Sequence, residues 1–191
     1  MRISFQVPNE AAISPFLEKS RQCPFNYSLV GYTKTGLRPR GYNLDSNRFL
    51  LGKGRACFEQ AKRGIQDWQM FQLGWVRLLP DTTPIEVGEV VSVNFRLLGL
   101  WWSNSCEIVY TIDEPNNYGF AYGTKSHVES GEEIFRVWID EEEQVFYEIQ
   151  AFSRPGIWLT WLAYPITRHY QSKFVRESQQ AMLHFLSHEI L

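Results

Sequence analysis

Between residues 73 and 153 the chain sets out six extended patterns in succession, at about 73–79, 88–98, 105–113, 117–124, 132–140 and 144–153, with almost nothing between them. "GEVVSVNFRL" alternates Val91, Val93, Phe95 and Leu97 with Ser92, Asn94 and Arg96. "CEIVYTID" does the same with Cys106, Ile108, Tyr110 and Ile112 against Glu107, Thr111 and Asp113. A period of two marks strands with one buried face. The acidic turns "DEPNN" and "DEEEQ" are too short for a crossover, so neighbouring strands must pair antiparallel. One apolar face per strand calls for cover on a single side.

The cover follows in the chain. "SRPGIWLTWLAYPI" reads as a kinked apolar connector, and from about Pro165 to His188 a helix places Tyr170, Phe174, Ser178, Ala181, Met182 and Phe185 at three- and four-residue spacing. Arg168, Lys173, Arg176 and Glu177 fall largely off that stripe. Ahead of the strands, "RACFEQAKRGIQDW" puts Ala56, Phe58, Ala61, Ile65 and Trp68 on one face of a shorter helix. Gly64 weakens that helix, which implies a break or a very close contact beside it. "NRFLLGKG" is a short strand and turn, residues 3–7 a further short strand, and "SPFLEKSRQ" a helix capped by Ser14 with Pro15 in its first position. Residues 23–47, rich in Pro, Gly, Asn and Tyr, read as irregular chain wrapped on the surface. The fold class is therefore α+β: a strongly curved antiparallel sheet of about six to seven strands gripping a long C-terminal helix. Residues 1–191 are expected to form a single domain, with 1–47 an N-terminal extension packed on a core of 48–191.

With 44% hydrophobic and 15% aromatic residues there is ample material for a core or for the wall of an apolar site. The net charge of −2, evenly interspersed, excludes the basic footprint of a nucleic-acid binder. The N-terminus has no apolar signal region, and "IWLTWLAYPI" is half a membrane span, so no stable membrane anchor is expected. Cys23, Cys57 and Cys106, odd in number and widely spaced, read as reduced thiols of a cytoplasmic protein.

The stretches "FNYSLVGYT", "LGKGRACFEQAKRGIQDW", "LGWVRLLP", "NNYGFAYGTKSHVESGEEIF" and "IQAFSRPG" resemble uncharacterised protein family 0548, a bacterial and plant family with no known function. The resemblance runs from about residue 25 to 185. The element order is similar, more distantly, to the START-like and pollen-allergen-like helix-grip superfamily. That likeness implies a space between curved sheet and helix for an apolar or amphipathic small molecule. It supplies no catalytic residues.

Along "YGFAYGT" the rings of Tyr118, Phe120 and Tyr122 share one face, and Gly119, Ala121 and Gly123 the other. The rings form either the wall of a binding cavity or part of a filled core, and the small residues admit a ligand or another backbone. With Thr124, Phe135, Trp138, Tyr147, Arg154 and Trp158 they make up the candidate ligand site. The polar knot that follows offers His127, Glu132 and Glu133, with Tyr122 as donor, as candidates for acid–base chemistry. Glu132 and Glu133 point to opposite faces, so at most one can look inward. Arg136 and Arg154 are the candidate cations, and Arg154 suits either a ligand anion or the carbonyls of its own loop. Trp101 and Trp102 face opposite sides, one inward and one at an entrance or interface.

His184 and His188 share a helical face, yet no spacing meets the pattern of a metal site, and neither metal nor cofactor is expected. "GKG" at 52–54 lacks the rest of a phosphate loop and reads as a tight turn into a helix. A binding module is thus favoured over an enzyme of cyclase, isomerase or hydrolase type, and over a partner-binding domain with a filled core. Fold alone does not choose among them.

Overall fold

The computed structural model describes residues 1–126, 129–155 and 164–188. Among these residues the elements are β1 (Arg2–Ser4), α1 (Glu10–Arg21), a 3-10 turn (Tyr32–Thr35), β2 (Asn43–Lys53), α2 (Arg55–Gln66), a second 3-10 turn (Gln69–Phe71), β3 (Val76–Leu79), β4 (Val90–Leu97), β5 (Leu100–Glu114), β6 (Asn117–Ser126), β7 (Glu129–Ile139), β8 (Gln144–Pro155) and α3 (Tyr164–His188). The sheet is curled and antiparallel, in the order β2-β8-β7-β6-β5-β4-β3, with β1 alongside β5. Short turns dictate this meander, as alternation predicts. β2 is the exception: it is 11 residues long and pairs with β8, so residues 43–47 are strand and not surface loop.

The concave face carries the main core. Tyr118, Phe120 and Tyr122 of β6, Phe135 and Val137 of β7, and Tyr147 and Ile149 of β8 pack with Phe58, Ala61 and Ile65 of α2 and with Met182 and Leu186 of α3. A curled sheet thus holds a long terminal helix and a shorter one, which is the helix-grip arrangement. Gly64 marks the closest approach of the two helices. A Cβ there would sit 3.0 Å from Met182 Cε and 3.2 Å from Phe185 Cδ1, so the helix runs unbroken and the glycine admits its neighbour. Ala56 is exposed, and Leu186 completes the buried stripe of α3.

Two expectations are corrected. α1 starts at Glu10 and is capped by Asn9, whose side chain accepts from the Ala12 N–H at 2.9 Å. Pro15 therefore lies inside the helix, and Ser14 is not its cap. Ile13 and Leu17, packed with Val90, hold the helix down through the proline. Nor is the sheet covered on one side only. The strap formed by residues 23–42 crosses the convex face, where Tyr27, Tyr32 and Tyr42 set their rings edge-on around Phe152 at centroid distances of 5.8, 6.0 and 5.3 Å. Tyr110, Ala121 and Ile134 form a further apolar cluster on that side. Alternation is the same whether the second face meets water or meets strap, so the sequence pattern did not reveal this cover.

Candidate functional site

The strap is fixed at one carboxylate. Glu132 is 2% exposed on the convex side of β7 and accepts from Tyr27 Oη at 2.8 Å, the Gly31 N–H at 2.6 Å, the Thr33 N–H at 3.0 Å and the Thr33 hydroxyl. Thr33 Oγ1 lies 2.7 Å from Tyr110 Oη, which extends the network to β5. Gly31 has φ of 81°, a conformation that aims its N–H at the carboxylate at no side-chain cost. Gly123, opposite Glu132 in the ladder, leaves the space that Tyr27 occupies: a Cβ on it would fall 2.0 Å from Tyr27 Oη. Burial first, then the negative charge of Glu132, hold the Tyr27 phenol far above the ordinary tyrosine value, so Tyr27 remains the donor. A buried carboxylate with this many donors is satisfied and structural, which takes Glu132 out of the acid–base candidates.

Glu133 faces the other way. It accepts from Tyr122 Oη at 2.8 Å on the concave side. The pair lies in a row across the sheet, Asp45–Ala151–Glu133–Tyr122, given by the ladder partners. Arg168, in the N-terminal part of α3, grips Asp45 through Nη1 at 2.5 Å and Nη2 at 2.6 Å, so the helix begins over this row. Burial, then Glu133, push the Tyr122 phenol well above its usual range. The Cys106 thiol is raised by the same two causes. Tyr122 thus stays protonated and donates.

Character changes along the concave face. From Tyr122 onward the rings interlock: Tyr122 lies 5.5 Å from Phe135, Phe120 sits 4.8 Å from Trp68, and Phe135 lies 5.3 Å from Phe71 and 6.3 Å from Phe174 between centroids. Tyr147 Oη is bound to Ser178 Oγ of α3 at 2.7 Å, and Lys62 Nζ stands 4.5 Å over the Tyr118 ring. Tyr118, Phe120, Tyr122, Phe135 and Tyr147 therefore share one face, as alternation requires. Trp138 and Arg154 do not join them. Trp138 stacks on Phe146 at 4.4 Å under Arg48, and Arg154 lies 4.8 Å from the Tyr42 ring, both on the convex side. Arg136 is there too, held by Glu148 through Nε at 2.9 Å and Nη2 at 2.7 Å.

Thr124 accepts the Gly131 N–H at 3.0 Å and donates to Asn26 of the strap. Trp101 is buried, while Trp102 is half-buried and stacks with Phe95. Gly54 caps α2, so "GKG" is a turn into a helix. His127, Trp158 and the apolar connector lie outside the described residues. Among the described residues no group of three or more His, Cys, Asp or Glu side chains gathers as metal ligands. No described helix is long and apolar enough to cross a membrane. An open recess of about 450 Å³ lies on the convex side, beside Thr33, Lys34, Tyr110, Ile112, Asp113 and Arg136.

A family model described as a domain of unknown function, DUF1990, matches residues 26–181. The chain belongs to this family. A relative in Dictyostelium discoideum, a UPF0548 protein, is 34% identical over 201 residues, covering 94% of this chain and 93% of its own. Among solved structures, a hypothetical protein from Helicobacter pylori superposes with a TM-score of 0.51 at 13% identity, over 75% of this chain and 85% of that one. Human STARD10 has a TM-score of 0.47 at 10% identity, over 93% and 81%. At 13% identity the likeness to the Helicobacter pylori protein is one of fold. Two stretches that carry the family resemblance, "FNYSLVGYT" and "SGEEIF", are the ones that meet at Glu132.

Proposed function

We propose that this chain binds an apolar or amphipathic small molecule, of the lipid, isoprenoid or aromatic-metabolite kind, between the Tyr122–Glu133 end of the concave face and the start of α3. One observation carries the reading: the interlocked rings end at Tyr122, and beyond it the row runs on through Glu133 and Ala151 to Asp45, so that a small side chain stands between two carboxylates. Apolar surface beside a few fixed polar groups is what a site for an amphipathic ligand requires. Tyr122 and Glu133 are its polar handle, in place of Arg154 and Glu132. Residues 1–191 work as one domain whose cover is residues 23–42, since β1 and residues 43–47 belong to the sheet itself, and the three unpaired cysteines suit the cytoplasm.

A second reading, a filled core with a purely structural or partner-binding role, is favoured by the contacts of Trp68, Phe71 and Phe174 with the sheet rings. Native mass spectrometry of the purified protein, repeated after organic extraction, separates the two. A small molecule retained one per chain, and lost in Tyr122→Phe and Glu133→Gln, supports binding. A bare mass that no apolar fluorescent probe alters supports the filled core and overturns the proposal.

A further inference from the structure

Of the ten large apolar side chains that stand exposed among the described residues, four, Met1, Ile3, Phe5 and Val7, lie in or beside β1, and a fifth, Leu98, at the turn between β4 and β5. β1 lies along the outer end of β5, pairing Ile3 with Trp102 and Ser4 with Trp101, while β4 pairs Phe95 with Trp102 and Leu97 with Leu100 on the other side. β1 ends at Ser4, and Phe5 stands in the bend just beyond it. Alternation then sets Ile3, Trp102, Leu100, Phe95 and Leu97 on a single face of a three-stranded finger. Val91 and Val93 of the same β4 face belong to the main core, so the apolar face runs outward from that core until it is uncovered. Phe5 is 88% exposed and Leu98 83%.

The finger's tip breaks a local rule. Leu98 and Gly99 form a two-residue hairpin turn with φ of 52° and 80°. Two positive φ values are ordinarily met by Asn-Gly or Asp-Gly. A leucine there accepts strain to hold a large apolar group in solvent, and departures of this kind mark functional positions.

Charge says what the finger meets. Residues 1–8, 75–79 and 90–102 contain Arg2, Arg77 and Arg96 and no acidic residue, in a chain whose net charge is −2. Arg77 and Arg96 are exposed on the other face of β3 and β4, turned away from the apolar row, so the two characters meet only at the finger's tip and edges. Since Ser105 pairs with Ser126 and Glu129 with Pro155, the finger projects from the same end of the sheet as the Tyr122–Glu133 row.

We infer that this finger docks the protein tip-first on an anionic membrane surface, with Leu98, Ile3 and Phe5 entering the interface and Arg77 and Arg96, on the finger's other face, meeting lipid phosphates. Apolar groups beside basic ones bind a bilayer reversibly, each by a small increment, without spanning it. The inference does not depend on the ligand proposed above, because it is read with lipid alone.

The test is co-sedimentation with vesicles of phosphatidylcholine, with and without about one-third phosphatidylglycerol. Binding to the anionic vesicles only is expected, weakened about fivefold by each of Arg77→Gln and Arg96→Gln. Phe5→Asp is expected to abolish it. Leu98→Asn is the sharper variant: it should weaken binding about tenfold or more while leaving the unfolding temperature unchanged or raised, since Asn suits the turn. That opposition of readouts rules out misfolding. Three results would overturn the inference: no binding to either vesicle, equal binding to both, or a dimer in light scattering that Leu98→Asn or Phe5→Asp dissolves. The last would make the face a seam between two copies.

Discussion

The Glu132 carboxylate lies beneath the strap and accepts from Tyr27, Gly31 and Thr33, whereas Glu133, one residue on, faces the other side of the sheet and takes the Tyr122 hydroxyl. Alternation establishes that the two must diverge. It does not say which goes where, because the partner that claims Glu132 is 105 residues away in sequence. Removing that acceptor leaves several buried donors without a partner, each costing on the order of 1–3 kcal/mol. Glu132→Ala is therefore expected to lose at least about 3 kcal/mol in urea unfolding and to open residues 23–42 to protease. A loss below about 1 kcal/mol would mean that the clamp contributes little to stability. Gly123→Ala should act in the same direction by displacing Tyr27, with the strap again the first segment cut.

The elements were legible where period and turns agree. The strands from β4 to β8 and the helices α2 and α3 follow from alternation, amphipathic spacing and acidic turns, with ends displaced by a few residues. α1 was misplaced because Ser14-Pro15 imitates a helix start, while the true cap, Asn9, stands further upstream. Asn9→Ala should cost about 1 kcal/mol, visible as a lower urea midpoint. Gly64 was legible as a place of close contact but not as to its partner, which turns out to be α3. Gly64→Leu drives a branched side chain into Met182 and Phe185, and should destabilise the fold by about 2 kcal/mol or more despite its better helix propensity. If thermal unfolding shows a gain instead, the two helices have room that the close packing denies.

For the molecule as a whole, buried tyrosines set the response to pH. Tyr27, Tyr122 and Tyr147 are held well above the ordinary tyrosine value, chiefly by burial, and Tyr110 is pushed up to about 12. Folded tyrosines then keep protons that the unfolded chain gives up near pH 10, so their contribution is intact below that value and is lost above it. Stability should begin to fall above about pH 8, where the unfolded chain ionises a thiol that buried Cys106 keeps protonated, and fall further above about pH 10 by about 1.4 kcal/mol per pH unit for each such tyrosine. Urea midpoints at rising pH check this, and Tyr27→Phe should make the decline shallower.

By itself the sequence determined the α+β class, the antiparallel meander, the terminal helix and the shared face of Tyr118, Phe120 and Tyr122. All of these rest on periods of two and 3.6 residues, or on turns too short to cross over. Only the tertiary structure decided that the convex face is covered, that Glu132 anchors the strap, that Trp138 and Arg154 lie away from the helix, and that an apolar finger stands uncovered. Those outcomes depend on which distant segments meet, and a local period looks the same whether its second face touches water, a strap or a neighbouring strand.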